Sequence, residues 1–234
     1  IGGAGNDVIT ISASDNGDRI TGGAGNDTFK FYGGYYTSID TLSGGDGDDT
    51  LQASTATAIV DADFTNTTSV KTLTHDTGTT ALVATLDSLA AAAGIDTITT
   101  AGDGTSDIIT IGAGFTTSAL RVNLRDVDLS SNYDAADGSK VDASAYTGSL
   151  TINAKALTMA TGTTLTGGTG TDTLLFTGTN GATATINNVT EKKDVAIKIL
   201  RPNIEKIFNE ELDALMLLAY IVESLVKKTK RLKL

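Results

Sequence analysis

The stretch "GGAGNDTFK" at residues 22–30 recurs almost unchanged as "GGAGNDVIT" from Gly2, and more loosely as "GGDGDDTLQ" from Gly44 and "GGTGTDTLL" from Gly167. A nine-residue unit cannot bury an apolar face alone, so a chain built on such repeats is stable only when copies stack. Aligning on the triplet Asp, any residue, large apolar gives Asp7-Val8-Ile9, Asp18-Arg19-Ile20, Asp27-Thr28-Phe29, Asp40-Thr41-Leu42 and Asp49-Thr50-Leu51. The apolar positions are spaced 11, 9, 13 and 9, so two steps make one coil of 20 to 22 residues. Motifs one, three and five are therefore expected on one edge of a stack, and motifs two and four on the other. The first edge keeps its glycines. The second reads "ASDNGD" from Ala13 and "YYTSID" from Tyr35, with only the aspartates left.

Composition agrees with a stack rather than a globule. Aromatics are 5% of 234 residues, Trp is absent and glycine numbers 26, which predicts a thin core lined by Ile, Val, Leu and Thr. No cysteine is present, so there is no disulfide framework and no thiol chemistry. Residues 1–190 hold 21 Asp, no Glu and 7 Lys or Arg. A short acid can turn back onto a tight loop or a hard cation, where Glu would overshoot. Glycines take positive φ at little steric cost and let carbonyl oxygens point into a turn. Calcium takes six to eight oxygens from carboxylates and carbonyls alike, and two stacked loops can supply them. Without a cation, two aspartates about 5 Å apart repel by ~3 kcal/mol at an effective dielectric of ~20.

On these residues the sequence resembles the repeats-in-toxin (RTX) proteins, whose nonapeptide Gly-Gly-x-Gly-x-Asp-x-apolar-x builds a calcium-bound parallel β-roll. The match covers residues 2–10, 22–30, 44–52 and 167–175 nearly position by position. The resemblance implies calcium sites at Asp7, Asp27 and Asp49 with the loops Gly2, Gly3, Gly5, then Gly22, Gly23, Gly25, then Gly44, Gly45, Gly47. In the later copy it implies Asp172 with Gly167, Gly168 and Gly170. Asp18 and Asp40 match at the acid alone and are weaker metal candidates.

Residues 52–166 alternate apolar and polar, as in "SLTINA" from Ser149 and "ALRVNL" from Ala119, a period that predicts strands. A short helix is expected from Asp87 through Ala93, capped by Asp87 or Ser88 and stopped by Gly94. Asp96 and Asp107 read as acids of worn repeats. The stretch "VDASAYTGSLTINA" from Val141 resembles the β-solenoid of bacterial surface-layer and large adhesin proteins that carry these nonapeptides. That places the chain outside the cell or on its surface, with calcium as cofactor and further copies or cell-surface glycans as candidate partners. A zinc protease would need a His-Glu-x-x-His helix, but the single histidine, His75, reads as a surface loop residue. Phosphate binding lacks the Gly-Lys-Ser/Thr ending, and a segment with net charge −14 repels nucleic acid. No apolar run approaches the ~20 residues of a membrane span.

From Glu191 the composition changes: residues 191–234 contain no glycine, 10 Lys or Arg and 7 acids, five of them Glu. Val195 to Leu200 read as a strand, and Ile204, Phe208, Leu212, Leu215, Ala219, Val222 and Val226 recur at helical spacing. Val195-Ala196-Ile197-Lys198, Leu200-Arg201-Pro202 and Glu211-Leu212-Asp213-Ala214-Leu215 resemble the UbiB-type atypical kinases, in which the lysine matched by Lys198 is implied to contact ATP phosphates. Neither the preceding loop nor a catalytic Asp-Asn loop is present, so the tail reads as an inactive, chimeric fragment; the alternative is a native cap on the solenoid.

The expected fold is thus all-β, a parallel β-roll or right-handed β-solenoid with calcium-binding turns, followed by a strand and a long amphipathic α-helix. The expected segments are 1–52, a calcium-binding β-roll; 53–190, a Thr/Ala-rich β-solenoid; and 191–234, the helical tail. The expected function is a non-enzymatic, calcium-binding structural or adhesive segment that folds after export. The alternatives are a calcium module of a secreted toxin or hydrolase, or ATP binding by the tail.

Overall fold

A computed structural model describes residues 1–11, 17–32, 34–54, 58–75, 80–101, 106–124, 139–154, 163–176 and 196–199. The chain divides into two compact units, Ile1–Ile199 and Leu200–Leu234. The second unit, and with it the helix expected from Ile204, lies outside the described residues, as does the 191 junction.

The first unit is a parallel β-solenoid. Its early strands are β1 (Val8–Ile11), β2 (Arg19–Ala24), β3 (Thr28–Phe31), β4 (Thr41–Asp46) and β5 (Thr50–Ala53). Next come β6 (Ala58–Val60), a 3-10 turn at Asp61–Phe64, β7 (Thr67–Thr68), β8 (Thr72–His75), β9 (Val83–Leu86), the helix α1 (Ser88–Ala93) and β10 (Thr97–Thr99). The later strands are β11 (Ile108–Ile111), β12 (Ala119–Leu124), β13 (Lys140–Asp142), β14 (Ser149–Ala154), β15 (Thr164–Thr166), β16 (Thr173–Phe176) and β17 (Ala196–Ile199). One face is a nine-stranded sheet in the order β1-β3-β5-β8-β10-β12-β14-β16-β17. A three-stranded sheet, β2-β4-β7, and a five-stranded sheet, β15-β13-β11-β9-β6, form the other walls.

The register confirms the two-edge reading of the repeat. Ile9 pairs with Phe29 and Phe29 with Leu51, while Ile20 pairs with Leu42 in the separate sheet. The coil is 20 residues from Val8 to Thr28 and 22 from Thr28 to Thr50. It then lengthens to 25 from Thr72 to Thr97 and 30 from Ala119 to Ser149. The two predicted strands "ALRVNL" and "SLTINA" are β12 and β14, paired along their whole length. The strand containing Lys198, β17, pairs in parallel with β16, from Thr173–Ala196 to Phe176–Ile199.

Alternation buries one face of each strand: Phe29 and Phe31 in β3, Leu42 in β4, Leu51 and Ala53 in β5. The core is more aromatic than composition predicts, because half of the few rings are concentrated inside it. Phe31, Tyr36 and Phe64 form a chain of ring contacts at 5.2 and 5.7 Å, and Phe115 meets Tyr146 edge-on at 5.9 Å. The Tyr36 hydroxyl lies 2.6 Å from Thr67 Oγ1, and burial pushes its pKa well above the usual phenol range. His75 corrects the surface-loop expectation: it ends β8 opposite Ala53 and is 5% exposed.

The helix α1 has the expected bounds, and Gly94 ends it in the left-handed conformation at φ 108°. Its cap differs. Asp87 occupies the N-cap position as expected but its side chain makes no capping bond; Asp61, from the preceding coil, accepts from Asp87 N–H and Ala90 N–H through Oδ1 and from Leu89 N–H through Oδ2, at 2.8 to 3.1 Å. A six-residue helix cannot hold itself together in water, so it depends on this cross-coil cap and on burial of Ala90 and Ala93. Asp61→Ala is expected to lower the unfolding free energy by about 2 kcal/mol. Urea denaturation of the variant beside the parent checks this, and a loss below about 0.5 kcal/mol would show that α1 does not rest on Asp61.

Candidate metal centre

The loops Gly22–Asp27 and Gly44–Asp49 carry the chain from β2 into β3 and from β4 into β5, so they stack along one edge of the solenoid. Gly25 and Gly47 adopt φ near 127° and 125°, and a Cβ there would overlap the carbonyl oxygens of Gly5 and Gly25 one coil back. Bare backbone is what lets the loops nest. Ala24 N–H donates to Gly3 O at 2.8 Å, and Gly25 N–H to Asp46 O at 2.9 Å.

Each aspartate serves its neighbour. Asp7 N–H donates to Asp27 Oδ1 at 2.9 Å, and Asp27 N–H donates to Asp49 Oδ1 at 2.8 Å. Asp27 and Asp49 are 1% and 0% exposed, yet Oδ2 of each has no hydrogen-bond partner. Those oxygens face carbonyls. A Cβ on Gly22 would run into Asp27 Oδ2 and Gly44 O together, and a Cβ on Gly44 into Asp49 Oδ2 and Ser69 O. Each therefore marks a cradle in which a carboxylate oxygen and a carbonyl oxygen from successive coils converge beside a glycine. Burial, together with the charges of Asp27 and Asp48, pushes the Asp49 carboxyl above the usual carboxylate range, against the Asp27 N–H bond and Lys71.

Asp7 completes the same row at Gly2, with Gly22 O nearby, but its Oδ2 accepts from Gly3 N–H at 2.9 Å. Outside the row, Asn6 Oδ1 accepts Asn26 N–H and Asn26 Oδ1 accepts Asp48 N–H, at 2.8 and 2.9 Å. On the second edge Asp18 N–H donates to Asp40 Oδ1 at 2.8 Å. Asp40 Oδ2 takes Thr37 N–H at 2.8 Å and Thr37 Oγ1 at 3.2 Å, so both its oxygens are engaged by protein donors. In the last copy, Leu150 N–H donates to Asp172 Oδ1 at 3.1 Å, and a Cβ on Gly167 would overlap Asp172 Oδ2. Gly168 and Gly170 stack on the carbonyls of Tyr146 and Gly148. Of the worn repeats, Asp107 Oδ1 accepts Leu82 N–H at 2.7 Å, whereas Asp96 Oδ1 accepts its neighbour Thr97 Oγ1 at 2.9 Å. Sequence reasoning missed Ser69, since it belongs to no repeat and lies 25 residues beyond Gly44 rather than 22.

Among the described residues no three His, Asp or Glu side chains converge on one point. The donor set is instead carboxylate plus main-chain carbonyl, an all-oxygen environment that suits a hard cation of variable coordination such as Ca²⁺ and offers nothing to a thiophilic metal.

The family model of the RTX calcium-binding nonapeptide repeat, with four copies, matches residues 1–29, 10–35 and 36–55. No curated protein and no solved structure matches the chain. The first 55 residues thus carry RTX repeats, which bind Ca²⁺, on a β-solenoid whose buried carboxylate oxygens fit that ion.

Asp27→Asn gives a test of opposite signs. The amide retains an acceptor for one bond and removes a buried unpaired charge, so in chelator the variant is expected to be more stable than the parent by about 1–3 kcal/mol. In millimolar calcium the order reverses. Thermal melts of both proteins with and without chelator read this out; a variant weaker in both conditions would show that the charge is not the source of the cost.

Proposed function

We propose that this chain is a calcium-binding structural segment of an extracellular surface-layer or adhesin-like protein, a β-roll that folds as it meets calcium after export. The observation that carries the calcium-driven folding is the pair of buried oxygens, Asp27 Oδ2 and Asp49 Oδ2, each facing a carbonyl from the next coil with no protein donor. RTX repeats of the kind matched by residues 1–55 are structural calcium-binding modules typical of secreted proteins. With Kd on the order of 10⁻⁴ M at millimolar calcium, each site adds roughly 1.4 kcal/mol, so a few sites decide whether the coils close.

In this reading residues 1–52 are the calcium-bound roll with Asp7, Asp27 and Asp49 as ligands. Residues 53–190 are the stalk, with a further site at Asp172. The unbroken parallel ladder from β8 to β16 supports a spacer role for that stretch, and other copies or cell-surface glycans are its partners. Among the described residues no helix is long and apolar enough to cross a membrane.

Residues 191–234 are a tail of separate origin, similar to part of a UbiB-type kinase and without activity here. The pairing of β17 on β16 supports an end-covering role for its first strand. ATP binding is the competing reading of the tail, and equal lack of ATP affinity in the parent and in Lys198→Ala would dismiss it.

The deciding experiment is a calcium titration of the chelated full chain followed by circular dichroism. A cooperative gain of β signal toward millimolar calcium is expected. An unchanged spectrum would reject calcium-driven folding and leave a stalk that stands without metal.

A further inference from the structure

We infer that the solenoid carries a cation site of a second kind, outside the nonapeptide repeats and on another wall, where the Asp87 carboxylate meets the turn Gly112–Gly114 of the next coil. Neither Asp87 nor that turn belongs to a nonapeptide, and the family match stops at residue 55. The site shares the oxygen chemistry of the calcium reading above but none of its residues.

The five-stranded sheet places the two partners. Leu86 at the end of β9 pairs with Ile111 at the end of β11, so Asp87 and Gly112 leave their strands at the same position of successive coils. Where one coil has an acid, the next has no side chain, and the acid occupies that room. A Cβ on Gly112 would lie 2.7 to 2.9 Å from Asp87 Cγ, Oδ1 and Oδ2, and a Cβ on Gly114 would overlap Oδ1. Oδ1 is buried there and has no hydrogen-bond partner. The turn's own groups are spent on main chain: Gly112 N–H donates to Leu86 O at 2.8 Å, and Phe115 N–H to Gly112 O at 3.3 Å. One coil earlier the same wall behaves differently, because Asp61 meets three N–H donors of the segment that opens α1.

Charge favours an ion over a water at this point. Asp61 Oδ1 lies 2.8 Å from Asp87 N, which sets two carboxylates on successive coils, and neither is paired with a Lys or Arg side chain. A donating water would satisfy Asp87 Oδ1 but leave the repulsion between the two acids, whereas a cation removes both costs. The side chain beside the turn is Ser88, whose Cβ would lie 3.2 Å from a Cβ on Gly114. Carboxylate, hydroxyl and main-chain carbonyl are all hard oxygen donors, which selects calcium over a thiophilic or imidazole-seeking metal. In the repeats each acid lies beside a glycine of its own loop; here Asp87 reaches forward to the glycines of the next coil. An ion held there ties the coil of α1 to the coil of β11.

Isothermal titration of the full chain with calcium chloride tests this on two variants. Asp87→Asn keeps the side chain's size and leaves the Asp61 bonds to main-chain N–H intact. It is expected to bind one calcium fewer than the parent, while Asp27→Asn loses a different one and the double variant loses two. Gly114→Ala puts a methyl group against Asp87 Oδ1 and is expected to weaken the same site at least tenfold. A full calcium count with unaltered affinities in Asp87→Asn overturns the inference and leaves Oδ1 to a water. If that variant does not fold, Gly114→Ala decides alone, and unchanged affinity at every site overturns it. A parent chain that takes up no calcium overturns this inference and the calcium reading together, whereas either variant result against a calcium-binding parent leaves that reading standing.

Discussion

The solenoid depends on one bond made repeatedly: a carboxylate at the residue before a strand accepts the main-chain N–H at the same position one coil back. It links Asp7 to Asp27, Asp27 to Asp49 and Asp18 to Asp40 in the repeats. It also links Leu82 to Asp107, where the glycine loop is worn, and Leu150 to Asp172 in the last glycine copy, and the Ser139 hydroxyl does the same for Asp107 N–H. A coil entering a strand leaves an N–H that the ladder does not reach, and burying it unpaired would cost about 1–3 kcal/mol. An acid on the next coil satisfies it only if its reach matches the ~4.8 Å strand spacing. Aspartate meets that requirement at Asp27, Asp40, Asp49, Asp107 and Asp172.

Cation chemistry is what remains when the ladder bond has used one oxygen of the carboxylate. At Asp40 the second oxygen is taken by Thr37 of "YYTSID", and that edge is closed by protein donors. At Asp27 and Asp49 the leftover oxygen lies beside a main-chain carbonyl, of Gly44 and of Ser69, instead of a donor, so it meets the negative end of a dipole. The difference between a structural turn and a metal site thus lies in what replaces the glycines, while the aspartate is common to both. Tyr146 shows a third solution. Its hydroxyl donates to Thr117 O at 2.5 Å, bridging successive coils through a side chain where the first loops need an ion.

The sequence period made the early coil length and the two edges legible, and alternation marked β12 and β14 as strands, but their pairing across 30 residues lay outside the 20-to-22-residue coil. Contacts between coils of unequal length were not legible. Asp61 capping α1 joins residues 26 to 29 apart, and nothing in the sequence marks that offset. Ser69 shares its row with Gly44 only because the intervening coil carries the extra 3-10 turn at Asp61–Phe64. His75 has the composition of a loop neighbour but the register of a core position, opposite Ala53. The aromatic core was hidden for a related reason. Aromatics at 5% of a chain can still fill a thin interior when Phe29, Phe31, Tyr36, Phe64, Phe115 and Tyr146 all point into it, and a percentage does not report placement.

The two ends of the described solenoid therefore rest on different physics. On the edge that carries Asp27 and Asp49, buried carboxylate oxygens without protein donors stand beside stacked carbonyls, an arrangement that suits a hard cation. Farther along, the described turns carry the Asp61 cap on α1, the Ser139 hydroxyl on Asp107 N–H and main-chain bonds such as Val70 N–H to Ala93 O, while Asp87 Oδ1 is buried without a partner. In a stack where each coil touches only its neighbours, stability passes from coil to coil through the shared sheet. The nine-stranded sheet crosses the boundary without a break, β5 pairing with β8 and β8 with β10. The turn at Asp49 is consequently coupled directly to the coil of β8, which pairs with β5, and that coil in turn supports α1 through Val70 N–H on Ala93 O. Order gained in the first coils can thus pass to the later ones by way of that one coil, where β5, β8 and β10 join in one sheet.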